Sequence, residues 1–147
     1  MPISHDRVGH PGRVRRTLLF ERSREKLLRF LSDRLPNGEP LEAVVTFTAR
    51  AWKRYVVPGP ALGVTRNWIL LVERSAMSGT LREESGGLRR DEVEVTWTPH
   101  KHRRARRSWG LLTITSLDRR YDVLIDHRSR ELAALLPALD VDDGTDA

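Results

Sequence analysis

Cysteine is absent from all 147 positions of this chain, which excludes disulfide bridges, thiolate metal sites and cysteine nucleophiles. The absence fits a reducing compartment. No run approaches the roughly 20 apolar residues that cross a bilayer, and the N-terminus lacks the apolar core of a secretory leader, so no transmembrane segment is expected and the expected location is cytoplasmic. A glycine-rich phosphate loop, a G-x-S-x-G nucleophile turn and an H-E-x-x-H pair are all missing. The aspartates Asp140, Asp142 and Asp143 before Gly144 lack the loop length and distal glutamate of a calcium hand. His100 and His102 could share a metal only with a third ligand, and His5, His10 and His127 do not suggest one. The chain therefore reads as no enzyme, with no cofactor and no metal.

What is present is charge and a patterned core. Lys and Arg number 26 against 20 Asp and Glu, for a net charge of +6, which mildly favours anionic partners. Most of the basic residues are arginine, and an arginine-rich coding bias explains that equally well. The length suits one domain with flanking tails and is sufficient for a hydrophobic core without crosslinks.

The chain is organised around the stretch from Trp109 to Leu139. Trp109 to Thr115 is rich in β-formers, Ser116 to Arg119 supplies turn residues, and Tyr121, Val123 and Ile125 alternate with their neighbours, which predicts a hairpin. Leu132, Leu135, Leu136 and Leu139 then stand at i, i+3, i+4 and i+7, one stripe of a short helix. Asp126 or Ser129 is the expected cap, Glu131 is placed for the helix dipole, and Pro137 makes the last turn irregular.

Taken in order, residues 1–16 read as a mobile basic arm, residues 17–37 as an N-terminal amphipathic helix with Leu27, Leu28, Leu31 and Leu35 near one face, residues 38–139 as the main domain, and residues 140–147 as an acidic disordered tail. Within the domain, Glu42 to Arg50 reads as one strand, Trp52 to Val57 as its neighbour, and Ala61 to Val64 and Trp68 to Glu73 as a pair around Thr65-Arg66-Asn67. Thr80 to Glu84 is a further short strand, Ser85-Gly86-Gly87 a turn, and Val93, Val95 and Trp97 the apolar side of an amphipathic strand. About seven antiparallel strands and two helices make an α+β chain.

Two patterns, Ala61 to Val72 with its Thr65-Arg66-Asn67 turn, and Leu111 to Ile125 followed by Arg130 to Leu136, resemble the bacterial pleckstrin-homology-like (PH-like) domains over roughly Leu41 to Leu139. The resemblance implies a β-sandwich or partly open barrel of two nearly orthogonal sheets capped by the C-terminal helix. It also implies a non-enzymatic scaffold for binding and assembly.

Two basic clusters are the candidate anion or partner sites. In the first, Lys101, Arg103, Arg104, Arg106 and Arg107 lie between Trp97 and Trp109. It reads either as a protruding hairpin end that engages phosphates, with the tryptophans stacking or inserting, or as a solvated loop with both tryptophans in the core. The second is Arg50, Lys53 and Arg54, loosely similar to the basic residues that hold the head group in phosphoinositide-binding members of the pleckstrin-homology superfamily. The expected function is a cytoplasmic interaction module for a protein partner or an anionic membrane surface. The alternative is a nucleic-acid-binding accessory protein that uses residues 100–107 and the basic arm.

Overall fold

The computed structural model describes residues 11–35, 38–74, 86–104 and 106–141. Its chain divides into two compact units, Met1–Arg34 and Leu35–Ala147.

The first unit holds one helix, α1, Pro11–Ser32. Proline suits a first helical turn because its missing N–H has no partner there in any case, and the helix thus takes in residues 11–16 of the expected arm. It ends near Arg29, a favourable charge for the C-terminal end of the dipole. Leu35 lies beyond the helix rather than on its stripe.

The second unit holds two antiparallel sheets, neither closed into a barrel. One has four strands in the order β1-β4-β5-β6 and the other five in the order β3-β2-β9-β8-β7. The strands are β1 Ala43–Val45, β2 Ala49–Trp52, β3 Tyr55–Pro58, β4 Ala61–Val64, β5 Trp68–Val72, β6 Gly86–Arg89, β7 Glu94–Arg104, β8 Arg107–Thr115 and β9 Arg120–Asp126. Helix α2 is Leu132–Ala138. The architecture is α+β as expected, with nine strands among the described residues instead of about seven.

Both sheets and α2 share one core. Leu62, Val64, Ile69 and Leu71 come from the first sheet, Leu112, Ile114, Val123 and Ile125 from the second, and Leu132, Leu135, Leu136 and Leu139 from α2 and its end. All four leucines of the predicted stripe are buried, Leu135 completely. Val93, Val95 and Trp97 pack against this core as the alternation predicted.

The expected strand from Glu42 to Arg50 is two strands in different sheets. The break falls at Thr46 to Thr48, where the backbone leaves the ladder and is held by side chains. The Thr46 N–H and hydroxyl both donate to the Glu131 carboxylate, at 2.8 and 2.9 Å, while the Arg74 guanidinium donates to the Thr46 carbonyl. Glu131 therefore serves this crossover. It occupies the cap position of α2 without a side-chain capping bond, and Asp126 instead accepts the Arg128 N–H at 2.9 Å. Neither Asp126 nor Ser129 caps the helix, which starts only at Leu132.

Pro137 lies one residue from the end of α2, and the helix closes with Asp140 at φ 56°. The Asp140 N–H donates to the Pro137 carbonyl at 3.0 Å and the Val141 N–H to the Leu136 carbonyl at 3.0 Å, a Schellman closure with aspartate in the usual glycine position.

Two smaller expectations also change. Trp52 to Val57 folds back at Lys53-Arg54 into the β2–β3 hairpin. Gly86 and Gly87 belong to β6, where a Cβ on Gly87 would stand 3.3 Å from the Leu70 side chain. Thr80 to Glu84 and residues 142–147 of the tail lie outside the described residues.

Candidate anion-binding ends of the five-stranded sheet

The register places the two basic clusters at opposite ends of one sheet. Leu124 in β9 pairs with Ala49 in β2 on one side and Leu111 in β8 on the other, all antiparallel, so β2 and β8 run in the same direction. The β2–β3 turn therefore lies toward the end of the sheet that holds the β8–β9 turn, and residues 101–107 lie at the other end. At about 3.3 Å per residue the length of β8 separates these ends by roughly 26 Å.

At the first end, Trp52 and Tyr55 pair directly across the hairpin, their rings stacked with centroids 6.5 Å apart. They are 57% and 60% exposed, which is too wet for core aromatics. Lys53, at φ 56°, occupies the first position of a two-residue turn, where glycine is preferred, and its ammonium sits 4.8 Å from the Trp52 ring centroid. Arg54 is exposed beside it. The β8–β9 turn at the same end presents Leu117, fully exposed, with Arg119 and Arg120. Arg120 pairs with Asp122 at 3.2 Å. Arg50 does not join this tip. Its guanidinium is committed to Glu73 at 2.6 Å, so the second cluster of the sequence separates into a paired Arg50 and an exposed Lys53-Arg54 turn.

At the second end, the basic segment is mostly strand. The β7–β8 ladder runs to Arg104 and Arg107, with Arg106 at φ 66° in the turn. Lys101, Arg103, Arg106 and Arg107 are exposed. Only the backbone pairing of Arg104 is described. The ladder slips between Thr98 and His102, a bulge that places Pro99, His100 and Lys101 opposite Gly110 alone. His100, at φ 53°, donates its backbone N–H to Nε2 of His127 at 2.9 Å, and its ring stacks on His127 at 4.0 Å between centroids. Its Nδ1 lies 2.6 Å from the Ser108 hydroxyl.

Trp97 meets His127 edge-on at 5.7 Å and lies over Gly110, where a Cβ would stand 2.1 Å from the indole. Trp97 packs against the core and Trp109 is half-buried. Burial pushes the His127 imidazole below its ordinary value, and the nearby His100 and Arg103 push it the same way. Because Nε2 accepts the His100 N–H, the hydrogen bond assigns the neutral tautomer with its proton on Nδ1. Asp126 keeps its charge. Burial raises its carboxyl, but the N–H and guanidinium of Arg128 and the charge of Arg107 outweigh burial and hold it low.

A cleft of about 510 Å³ that the sequence did not suggest opens beside the C-terminal end of α2, lined by Glu42, Arg66, Asn67, Arg90, Pro137 and others. Arg90 crosses it, donating to the Thr65 carbonyl at 3.0 Å and facing Asp140 at 3.6 Å and Glu42 at 3.9 Å. Arg89 on the same rim pairs with Asp91 at 3.4 Å. The cleft is charge-balanced and braced from within.

Sequence reasoning missed Trp52, Tyr55 and Leu117 as site residues. A two-residue turn of lysine and arginine carries none of the Asn or Gly chemistry that marks a hairpin. The bulge did leave a signal, because Pro99 inside a strand pattern demands an irregularity in the ladder.

Among the described residues no helix is long and apolar enough to cross a membrane. No protein-family model and no curated protein matches the chain. Among solved structures, it is similar to the C-terminal domain of an unknown protein from Leishmania infantum, with 14% identity over 82% of this chain and 94% of that one, at a TM-score of 0.44.

Proposed function

We propose that the protein is a non-enzymatic binding module that docks on an anionic membrane surface through the Trp52–Tyr55 end of its five-stranded sheet. The observation that carries this reading is the exposed Trp52–Tyr55 pair with Lys53 and Arg54 at one hairpin tip, toward the same end of the sheet as the β8–β9 turn with Leu117 and Arg119. Tryptophan and tyrosine are amphipathic enough to rest at headgroup depth. Leucine adds roughly 1.5 to 3 kcal/mol when fully buried. Each cation near an anionic surface contributes about 1 kcal/mol. Neither contribution alone holds a protein of this size on a bilayer, whereas the combination does so reversibly.

Lys53 gives further support, since a lysine kept where a turn prefers glycine suggests that its charge is wanted there. The anionic leaflet that such a tip fits faces the cytoplasm, which is the proposed site of action. The reading rests on the tip, and holds whether or not the two sheets are PH-like in descent.

Cosedimentation of the full chain with vesicles tests it. Binding to phosphatidylcholine vesicles containing phosphatidylserine is expected, with little binding to phosphatidylcholine alone. Lys53→Gln with Arg54→Gln removes the dependence on phosphatidylserine, and Trp52→Ser with Tyr55→Ser and Leu117→Ser removes the part that survives salt. Equal binding to both vesicles, or none, overturns the membrane reading and leaves a protein partner for this tip.

A further inference from the structure

We infer that the opposite end of the sheet, the tip of the β7–β8 hairpin, is a second binding site that takes the phosphate backbone of duplex DNA. Its shape is the first argument. The last pair that β9 makes is Asp126 with Trp109, but the β7–β8 ladder continues through Arg103 with Ser108 and Arg104 with Arg107. The hairpin thus passes the last β9 pair by two residue pairs as a short two-stranded ribbon, with the His127 N–H still donating to the Ser108 carbonyl at 3.1 Å at its base. Strands in such a ribbon lie about 4.8 Å apart, and a B-form major groove about 12 Å wide admits it. The deep, narrow major groove of A-form RNA does not.

Its chemistry is the second argument. Lys101 in the bulge and Arg103, Arg106 and Arg107 on the ribbon are exposed, and the nearby carboxylate of Asp126 is turned onto Arg128 at 3.2 Å. The register sets two arginines, Arg104 and Arg107, opposite one another. The described residues of the ribbon offer no exposed aromatic for a bilayer, because Trp97 and Trp109 are half-buried. Cationic donors without an apolar wedge fit a phosphodiester chain better than a lipid surface.

Its rigidity is the third. His100 and Arg106 hold positive φ without being glycine, and the His100–His127 bond and stack fix the bulge that carries Lys101. Non-glycine residues in the left-handed region persist where the surroundings over-determine them, and they gather at ligand clamps.

Fluorescence anisotropy of a mixed-sequence DNA duplex with the full chain tests the site. Four neutralised phosphates give a slope of about 3.6 in log K against log salt, a loss of roughly a hundredfold between about 50 and 200 mM. Replacing Lys101, Arg103, Arg106 and Arg107 together by glutamine is expected to abolish binding, whereas Lys53→Gln with Arg54→Gln leaves it intact. Amide shifts of the unaltered chain on titration with the duplex are expected to centre on residues 101–107, a readout independent of whether the fourfold variant folds. Three outcomes overturn the site: no binding at low salt, shifts centred elsewhere, or dependence of vesicle rather than duplex binding on these four residues.

Discussion

The carboxylate of Glu131 holds both the backbone N–H and the hydroxyl of Thr46, at 2.8 and 2.9 Å, across 85 residues of sequence. This pair fixes the place where the chain leaves the four-stranded sheet for the five-stranded one. It also ties the start of α2 to the end of β1, so that the leucine stripe of the helix enters the core in one orientation. Arg74 closes the arrangement from the other side through the Thr46 carbonyl. Burial lowers the Arg74 guanidinium from its ordinary value, and the Glu131 charge partly restores it.

Glu131→Ala is therefore expected to destabilise the domain by about 1 to 3 kcal/mol, because it leaves a buried N–H and a buried hydroxyl without their acceptor. Glu131→Gln keeps one oxygen for the N–H and should cost less. Urea midpoints of the three proteins order them; an alanine variant as stable as the parent would show that the crossover is held by other means.

Gly110→Ala probes the packing of Trp97 on β8. The new methyl group would stand 2.1 Å from the Trp97 indole, which must move out of its place over the strand. Overpacking of this kind typically costs about 1 to 3 kcal/mol. Because Trp97 meets His127, near-ultraviolet circular dichroism should change along with the midpoint. An unaltered spectrum would mean that the close approach is not maintained in solution.

Periodicity made part of this fold legible. The spacing of Leu132, Leu135, Leu136 and Leu139 sufficed for α2 and its buried face, and the alternation around Val95 and Val123 sufficed for the β7–β8–β9 meander. The Thr46 crossover was not legible. Val45, Phe47 and Ala49 continue a period of two, and the side chains that break the ladder arrive from Glu131 and Arg74, with no local trace in the sequence. The basic residues of the candidate ends were visible as composition, whereas their separation to opposite ends follows only from the pairing of Ala49 with Leu124. Arg50 is indistinguishable from Lys53 and Arg54 on paper, and only its bond to Glu73 sets it apart.

Lys53→Gly separates folding from binding at the tip proposed to dock on a membrane. Glycine takes the positive φ of this turn without steric cost, so the variant is expected to gain up to about 1 kcal/mol in stability. It loses the ammonium over the Trp52 ring, and binding to phosphatidylserine vesicles should weaken. A thermal melt and a sedimentation assay on one preparation suffice; weaker binding in a destabilised protein would remove the argument that the lysine is kept for its charge.

His127 sets the pH dependence of the second end. Its imidazole lies below its ordinary value of 6.5 in the folded chain, with burial the leading cause, the neighbouring His100 ring and Arg103 guanidinium adding to it and the Asp126 carboxylate opposing it. A histidine with a depressed folded value binds protons more weakly folded than unfolded, so its contribution to stability is complete above the unfolded value and is lost as pH falls through the folded one. Protonation also removes the lone pair on Nε2 that accepts the His100 N–H, so the bulge loses its pin in the same range. Asp126 does not confuse the measurement, since its carboxyl is held below its ordinary value of 3.8 and titrates in a lower window. Stability measured from pH 8 downward should be level until the neighbourhood of pH 6.5 and then fall, and His127→Gln should flatten the decline. In a proton titration followed by NMR, the His127 ring should show a midpoint below that of an exposed histidine. A midpoint at or above 6.5 would mean that the ring is neither buried nor held by the His100 N–H, and the rigid bulge inferred for the DNA-facing ribbon would lose its support.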